Sequence, residues 1–356
     1  MGAGNMTRDI SVIVPVYNTG QHLRACIDSI ITQTVFGRID IILVNDGSTD
    51  NSPEICDIYA SAYSNISVIH QANAGVSAAR NSGVEKAAGK YVGFVDSDDY
   101  VFPEMYERLI ELAETTHADM SACALMADYP DGKTQIRYPF RENTPIKKDE
   151  IKSTVAVFML RDGSFNSCCN KIFRRDVVSG NRLRFAPGKR QGEDREFLLR
   201  FLACAQTVCY TGYFGYFYRQ VLSGAVQTIN RDAAEVILSQ YKLDFELFAK
   251  IGLSRGTIGE LNTVKLMEQA AGAVSSAVTR LKGKYRRDAV KNIMLNAEIR
   301  GLLHAYRKVL TANSSKLNRC IYFCIRGKSI IGLRAVLFAM KIKLSLTGTA
   351  NKGAKK

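Results

Sequence analysis

The first hundred residues alternate short β-branched strands with amphipathic helices, and this alternation limits the folds open to the chain. Strands are predicted at Ile10–Val16, Ile39–Asn45, Ile66–His70 and Tyr91–Asp96. Helices are predicted to begin near Gln21, near Asn51 and at Val76. A helix after each strand is typical of consecutive βαβ units. The sequence therefore predicts an α/β fold that is Rossmann-like, with a mostly parallel sheet and helices on both faces.

Three of the predicted strands end in polar residues. The first strand is followed by Tyr17-Asn18, the second by Asp46-Gly47-Ser48, and the fourth by Asp96-Ser97-Asp98. In parallel sheets, ligands bind in the crevice at the carboxyl ends of the strands. We therefore expect these three loops to form one binding site.

Beyond residue 101 the pattern becomes less regular and then almost wholly helical. The stretch Tyr129–Pro145 contains Pro, Asp and Gly residues, and we interpret it as an insertion. Other elements before residue 230 are predicted at Pro103–Thr115, Ala118–Ala124, Asp149–Leu160, Cys168–Val178, Asp194–Ala205 and Thr207–Tyr218. Long amphipathic helices are predicted at Ala233–Ile251, Ile258–Leu281 and Arg287–Leu310.

The net charge of +14 is concentrated near the C-terminus. Residues 301–356 contain 12 Lys and Arg residues and no Asp or Glu, so the first 300 residues carry only +2. Because the body of the chain is nearly neutral, we predict no nucleic-acid partner.

The cysteines and the N-terminus indicate a reducing compartment. The nine cysteines are scattered and contain no C-x-x-C pair, so neither a disulfide framework nor a zinc site is indicated. Residues 1–9 lack the basic and apolar stretches of a secretory signal, and no run of about 18 apolar residues follows. We therefore expect a cytoplasmic protein.

Asp96 and Asp98 are candidate metal ligands. In extended backbone, side chains at i and i+2 point to one side, and Mg²⁺ or Mn²⁺ bridging two phosphates prefers oxygen ligands. An isolated D-x-D is more often an acidic turn or a helix cap, so the motif alone leaves both interpretations open.

The other strand ends offer groups that suit a nucleotide. The ring of Tyr17, after Pro15 and beside Asn18, could stack on a base. Ionised Asp46 accepts hydrogen bonds only, which suits the N–H edge of a base. The residues of its loop are also typical of a turn that leads into a helix. The guanidinium of Arg80 could pair with a phosphate. Taken singly, Tyr17 and Arg80 are each more often structural, and for Asp46 both interpretations can hold at once.

Together these segments resemble the family-2 glycosyltransferases of the GT-A fold, over about Ile10–Tyr218. Four of the family's motifs stand here in the family's order: Pro15-Val16-Tyr17-Asn18, the Asn45–Asp50 loop, the Asn73–Asn81 helix start and Asp96-Ser97-Asp98. The resemblance implies a GT-A domain followed by a C-terminal helical region, a nucleotide-sugar donor, and Mg²⁺ or Mn²⁺ as cofactor.

The resemblance also implies roles for these residues. It puts Tyr17 and Asp46 on the nucleobase, and Arg80 near the base or the phosphates. It puts Asp96 on the ribose and Asp98 on the metal. The other candidates for nucleotide-sugar binding are Pro15, Asn18, Gly75 and Ser97.

Gly192–Phe197 resembles the family's Glu-Asp motif, in which the aspartate is the catalytic base, so Asp194 is the predicted base and Glu193 its neighbour. The N-terminus of a helix would explain the same acidic residues through the helix dipole. Asn170-Lys171 resembles a family element near the acceptor or the donor phosphates. One base without a carboxylate nucleophile predicts inversion, and the lack of Trp excludes the Gln-x-x-Arg-Trp element of processive members, so single-sugar transfer is expected.

The predicted domains follow from these motifs. They are an N-terminal tail at 1–9, a catalytic domain at 10–228, a helical region at 229–312 and a basic amphipathic tail at 313–356. Within the catalytic domain, 10–100 is the nucleotide-binding half, and 101–228 is the acceptor-side half, which includes the insertion.

The basic tail has two interpretations. Apolar residues at helical spacing from Leu317 and a second apolar run at Ile330–Leu344 alternate with basic residues, which suits contact with an anionic membrane surface. A helix packed on the preceding bundle with solvated lysines would explain the same pattern. We favour membrane contact, on the inner face of the cell membrane. The expected acceptor is a saccharide or lipid-linked saccharide, in cell-surface polysaccharide synthesis. Alternatives are a sugar nucleotidylyltransferase and a non-catalytic module on a transferase fold.

Overall fold

The computed structural model describes residues 8–129, 132–189, 192–219, 233–280, 283–313, 315–333 and 335–336. The chain divides into two compact units, residues 1–227 and residues 228–356. Helices of the first unit are α1 Gly20–Ile31, α2 Ser52–Ala62, α3 Val76–Lys86, α4 Met105–Thr116, α5 Lys148–Ile151, α6 Val157–Arg161, α7 Arg175–Gly180 and α8 Glu193–Cys204. A π-helical turn, Lys152–Ala156, joins α5 to α6.

Ten strands of the described part of the first unit form one sheet. They are β1 Ile10–Val16, β2 Ile39–Asp46, β3 Ile66–Gln71, β4 Tyr91–Phe94, β5 Tyr100–Val101, β6 Met120–Tyr129, β7 Gly132–Ile136, β8 Ile146–Lys147, β9 Lys171–Arg174 and β10 Thr207–Arg219. Their order is β3-β2-β1-β4-β9-β6-β10-β5, with β7 beside β6 and β8 beside β10.

The first four strands pair in parallel, as the sequence predicts. β1 lies between β2 and β4, and all seven residues of β1 are buried. A parallel strand covered on both faces reads as a continuous apolar run, which is why this strand is recognisable in the sequence. Their carboxyl ends therefore lie at one edge of the sheet.

The second half of the sheet is mixed. β9 is antiparallel to both β4 and β6, and β10 is parallel to β6. β4, β6 and β10 consequently run in the same direction, so the carboxyl end of β10 lies at the same edge as the ends of β1, β2 and β4. This edge carries the candidate site.

Two local predictions differ from the structure. The stretch Tyr129–Pro145 was expected to be irregular, but β7 returns antiparallel along β6 through the pairs Leu125–Ile136 to Tyr129–Gly132. Asp96-Ser97-Asp98 is a turn rather than extended backbone, because β4 ends at Phe94 and the amide of Asp99 donates a 2.9 Å hydrogen bond to the carbonyl of Asp96.

The second unit is helical where it is described. Its helices are α9 Ala233–Ile251, α10 Arg255–Arg280, α11 Gly283–Met294, α12 Ala297–Ala305, α13 Arg307–Asn313 and α14 Lys316–Arg326. The prediction of one continuous helix over Arg287–Leu310 is therefore wrong, because three helices cover this range. The side chain of Asn296 accepts a hydrogen bond from the amide of Ile299 and so begins a new helix.

The basic tail falls only partly within the described residues. α14 contributes Ile321, Tyr322 and Ile325 to the apolar core of the second unit. The chain is helical again at 330–333 and 335–336, and the rest of the run Ile330–Leu344 lies outside the described residues. Among the helices that the structure describes, none combines the length and the apolar character needed to cross a membrane.

Candidate functional site

The loop that leads into α3 is folded around Asp46. The Asp46 carboxylate, at the end of β2, is 2% exposed. It accepts hydrogen bonds from the amides of Ala74 (2.9 Å) and Gly75 (2.8 Å) and from Nε2 of Gln71 (2.7 Å). Gly75 has φ 89°, a conformation that side-chain-bearing residues rarely adopt. Asp46 therefore holds this loop in place.

Tyr17 and Asn18 lie between the ends of β1 and β2. Asn18 adopts φ 52°, and its Oδ1 accepts a 2.8 Å hydrogen bond from the amide of Thr49. Its own amide donates to Oγ of Ser48 at 3.1 Å. Pro15 is buried in β1, whereas Tyr17 is 51% exposed. The ring of Tyr17 is thus free to stack on a planar ligand, and Asn18 fixes its loop.

The Asp96–Asp99 turn is anchored from beneath. Oγ of Ser97 accepts a 2.9 Å hydrogen bond from the hydroxyl of Thr19. Buried Asp99 accepts hydrogen bonds from the Tyr216 hydroxyl (2.6 Å) and the Arg219 amide (2.7 Å). These contacts tie the turn to the start of α1 and to the end of β10.

The Asp98 carboxylate of this turn is disfavoured in its ionised form. Burial first, and then the negative charge of Asp96, raise the pKa of Asp98 to about 6. The attraction of Arg219 opposes these effects without cancelling them. A cation at this carboxylate would relieve the cost of holding it ionised.

Arg80 joins three carboxylates from opposite parts of the first unit. It is 3% exposed, and its guanidinium contacts Asp96 at 2.7 Å, Asp194 at 2.6 Å and Glu193 at 3.2 Å. Its guanidinium carbon also lies 5.2 Å from the centre of the Phe185 ring. The sequence suggested a phosphate or base contact for Arg80, but in this structure its ion pairs are made with protein carboxylates.

α8 begins directly after Gly192, which has φ 78°, and Asp194 lies in the first turn of this helix. Its Oδ1 accepts from Arg80, and its Oδ2 accepts a long hydrogen bond, 3.4 Å, from the amide of Cys168. Burial raises the pKa of Asp194 to about 6, while the positive charge of Arg80 works in the opposite direction. The side chain is 20% exposed, so a hydroxyl can reach it from the crevice.

Asn170 and Lys171 lie beneath the crevice rather than in it. Both are fully buried, and Nζ of Lys171 donates to the carbonyl of Ser167 (2.6 Å) and to Oδ1 of Asn170 (2.7 Å). The same ammonium is 3.9 Å from the centre of the Phe165 ring. In this structure both polar side chains brace the loop before β9, and the expected ligand contact stays a prediction.

Arg219 and His22 complete the site, and the sequence analysis missed both. Nη1 of Arg219 lies 2.6 Å from Nδ1 of His22, and the amide of Arg219 is held by Asp99. The available signal was the position of Arg219, one residue after the predicted strand Thr207–Tyr218. That position indicates a site residue only if β10 ends at the edge that carries the candidate site. Local sequence does not determine the direction of β10.

Comparisons with known proteins identify the family. Residues 11–180 match the model of Glycosyl transferase family 2. The uncharacterized glycosyltransferase EpsJ of Bacillus subtilis (strain 168) is 34% identical over 255 residues, which make up 71% of this chain and 73% of EpsJ. The chain belongs to glycosyltransferase family 2. This membership confirms the predicted enzyme class and does not support the sugar nucleotidylyltransferase alternative.

Other proteins agree with this assignment. The uncharacterized glycosyltransferase YibD of Escherichia coli (strain K12) is 41% identical over 192 residues, which make up 52% of this transferase and 54% of YibD. The crystal structure of S. aureus TarS 1-349 in complex with UDP-GlcNAc superposes with a TM-score of 0.70 at 17% identity, over 94% of this chain and 92% of TarS 1-349. That likeness confirms the GT-A fold and the helical C-terminal region.

Proposed function

We propose that this transferase moves a single sugar from a UDP-sugar to a saccharide or lipid-linked saccharide, with inversion, in cell-surface polysaccharide synthesis. The observation that carries the proposal is Arg80, whose guanidinium contacts Asp96 and Asp194 at once. It joins the carboxylate proposed for the donor to the carboxylate proposed for the acceptor. TarS was crystallised with UDP-GlcNAc, which supports a UDP-sugar as donor.

The donor side of the crevice suits a nucleotide. The exposed ring of Tyr17 would stack on the base, and the loop held by Asp46 and Gly75 would border it. Asp96 keeps one carboxylate oxygen on Arg80, and its side chain is 33% exposed, so it would accept from a ribose hydroxyl. These groups order the donor before the reaction.

Asp98 is the residue that would hold Mg²⁺ or Mn²⁺. The donor set fits, because carboxylate oxygen is the ligand type that these hard cations prefer, and burial leaves this carboxylate in need of positive charge. When bound, the ion would supply positive charge to the departing nucleoside diphosphate.

Asp194 would accept the proton of the acceptor hydroxyl. As the proton leaves, the hydroxyl oxygen forms a bond to the anomeric carbon, and the bond from that carbon to the donor phosphate oxygen breaks. Arg80 keeps Asp194 oriented and favours its ionised form. Because the acceptor oxygen attacks from the face opposite the leaving diphosphate, the product has the inverted configuration.

A donor screen tests the proposed reaction. Nucleoside-diphosphate release from UDP-sugars should require Mg²⁺ or Mn²⁺ and should fall by about 10²-fold or more in Asp98→Asn, because a charge-stabilising group is lost. Asp57→Asn, which changes an exposed carboxylate on α2, serves as the control and should keep the wild-type rate. Release that is independent of metal would contradict the role of Asp98.

Arg219 would contact the donor diphosphate, since its positive charge acts on Asp98 and its guanidinium contacts His22 at the same edge of the sheet. Arg219→Gln should raise the KM for the donor by about 10- to 100-fold, because a hydrogen bond to a charged group contributes about 1.5–3 kcal/mol. Steady-state kinetics at saturating acceptor would measure this change. Arg200→Gln, on α8 and paired with Glu196, is the matched control. An unchanged donor KM in Arg219→Gln would remove this contact.

The exposed residues of α14 and of the segment that follows it, up to residue 331, support the proposed membrane contact. Phe323 is 53% and Ile331 82% exposed, and Lys316, Arg326 and Lys328 are exposed on the same segment. Apolar side chains among basic ones suit an anionic lipid surface.

Charge reversal tests this contact better than deletion, because deleting α14 would remove buried core residues. The triple variant Lys316→Glu, Arg326→Glu, Lys328→Glu should bind phosphatidylglycerol vesicles at least about tenfold more weakly, since each basic residue near such a surface contributes about 1 kcal/mol. Vesicle sedimentation would measure it, with phosphatidylcholine vesicles as the control lipid. Equal binding of wild type and variant would show that the segment 316–331 does not contact lipid.

A further inference from the structure

Two neighbouring thiols lie against the proposed base. Cys168 and Cys169 are 0% and 1% exposed, in the turn that precedes β9. Their sulfur atoms and a carboxylate oxygen of Asp194 all lie within 4.8 Å of one another. Consecutive side chains of a strand point to opposite faces, so the turn is what brings both thiols to the same side.

The backbone of this turn is held by specific contacts. The amide of Cys168 donates to Oδ2 of Asp194, and the amide of Cys169 donates to Oγ of Ser167 at 3.1 Å. Lys171 then closes the loop through the carbonyl of Ser167. The three ligand groups are therefore fixed by the fold rather than brought together by mobile side chains.

The ligand set selects a particular class of metal. Two sulfurs and one oxygen suit Zn²⁺, which binds sulfur at about 2.3 Å and carboxylate oxygen at about 2.0–2.2 Å, whereas Mg²⁺ and Mn²⁺ prefer oxygen ligands alone. Two thiolates and one carboxylate carry three negative charges, of which Zn²⁺ offsets two, and Arg80, which Asp194 shares with Asp96 and Glu193, lies beside the carboxylate. Asp194 is the partly exposed member of the set, so an ion would enter from its side.

We propose that Cys168, Cys169 and Asp194 form a site for a thiophilic divalent cation, Zn²⁺, and that its binding blocks the transferase by occupying the base. The inhibitory half of this inference rests on the proposed role of Asp194 in transfer. The binding half does not, because it depends only on the three ligands.

Co²⁺ provides a direct readout of binding, since Zn²⁺ is d¹⁰ and gives no such spectrum. The reduced full-length protein should bind one Co²⁺ with the near-ultraviolet absorption typical of thiolate ligation, and added Zn²⁺ should abolish that absorption. Cys168→Ser and Cys169→Ser should each lose at least about half of the absorption, because one of the two thiolate ligands is gone. Cys320→Ser, which changes an exposed cysteine of α14, should retain it. The absence of thiolate absorption in wild type, or its retention in both site variants, would overturn the site.

Asp194→Asn tests the contribution of the oxygen ligand separately from that of the two thiols. It should keep thiolate absorption but bind Co²⁺ at least about tenfold more weakly, because one of three protein ligands is lost. Thermal unfolding of each variant would confirm that it is folded. An affinity equal to that of wild type would remove Asp194 from the ligand set.

Inhibition is measured separately, as donor hydrolysis at saturating Mg²⁺ with increasing Zn²⁺. Wild type should lose activity and regain it when a zinc-selective chelator is added, and Cys169→Ser should need at least about tenfold more Zn²⁺ for the same loss. Equal sensitivity of the two proteins would mean that Zn²⁺ acts elsewhere, for example by displacing Mg²⁺ at Asp98. If no donor is turned over at all, the proposed function fails while the Co²⁺ experiment still decides the site.

Discussion

Asp194→Asn is expected to lower kcat for sugar transfer by about 10²- to 10⁴-fold, because a positioned general base contributes a factor of that size. The affinity for UDP should change little, since the groups proposed to hold the nucleotide lie on the other side of Arg80. Product formation and UDP binding, measured on the same preparation, separate the two effects. Glu196→Gln is the matched control on α8, because Glu196 pairs with Lys189 and Arg200, outside the site.

The same variant has a pH signature. Burial raises the pKa of Asp194 to about 6, and the charge of Arg80 opposes that rise. A base must be ionised to accept a proton, so wild-type kcat/KM should fall as the pH drops through about 6. At saturating Mg²⁺, which would hold Asp98 ionised, the residual activity of Asp194→Asn should lack this acid limb. Nearly full transfer by Asp194→Asn, or an unchanged acid limb, would place the base elsewhere.

The parallel half of the fold was predictable because its signals are local. A strand such as β1 that is buried on both faces is a continuous apolar run, and each polar strand end follows directly in the sequence. Parallel neighbours place those ends at one edge, so the convergence of Tyr17, Asp46 and Asp96 also followed. These inferences needed only periodicity and the general geometry of βαβ units.

The second half depended on pairings between distant segments. Nothing local shows that Lys171–Arg174 inserts as an antiparallel strand between β4 and β6, and this insertion sets the direction of everything after it. The partners of Arg80 at Glu193 and Asp194 and the contact of Arg219 with Asp99 are separated by more than a hundred positions. Spacing therefore placed Arg80 near the strand ends but did not indicate its ion pairs with these carboxylates.

Arg80→Met should reduce the free energy of unfolding by about 3–5 kcal/mol near neutral pH, because it leaves the carboxylates around a buried cation without a partner. Urea unfolding, followed by a probe in the first unit, would measure the loss. Arg80→Lys is the informative control: it keeps the charge but cannot contact Asp96 and Asp194 with separate arms of a planar fork, so an intermediate loss is expected.

The loss of unfolding free energy in Arg80→Met should also depend on pH in a defined direction. Without Arg80 the pKa of Asp194 rises further, since burial is then opposed by less positive charge. A carboxyl whose folded pKa lies above its unfolded value binds more protons when folded, so stability falls as the pH rises from about 4 through the folded pKa. The difference between Arg80→Met and wild type should therefore be small near pH 5 and largest above about pH 7. An equal difference at both pH values would mean that Arg80 stabilises the fold through packing on Phe185 rather than through charge. The ion-pair cluster would then not explain the pKa of Asp194.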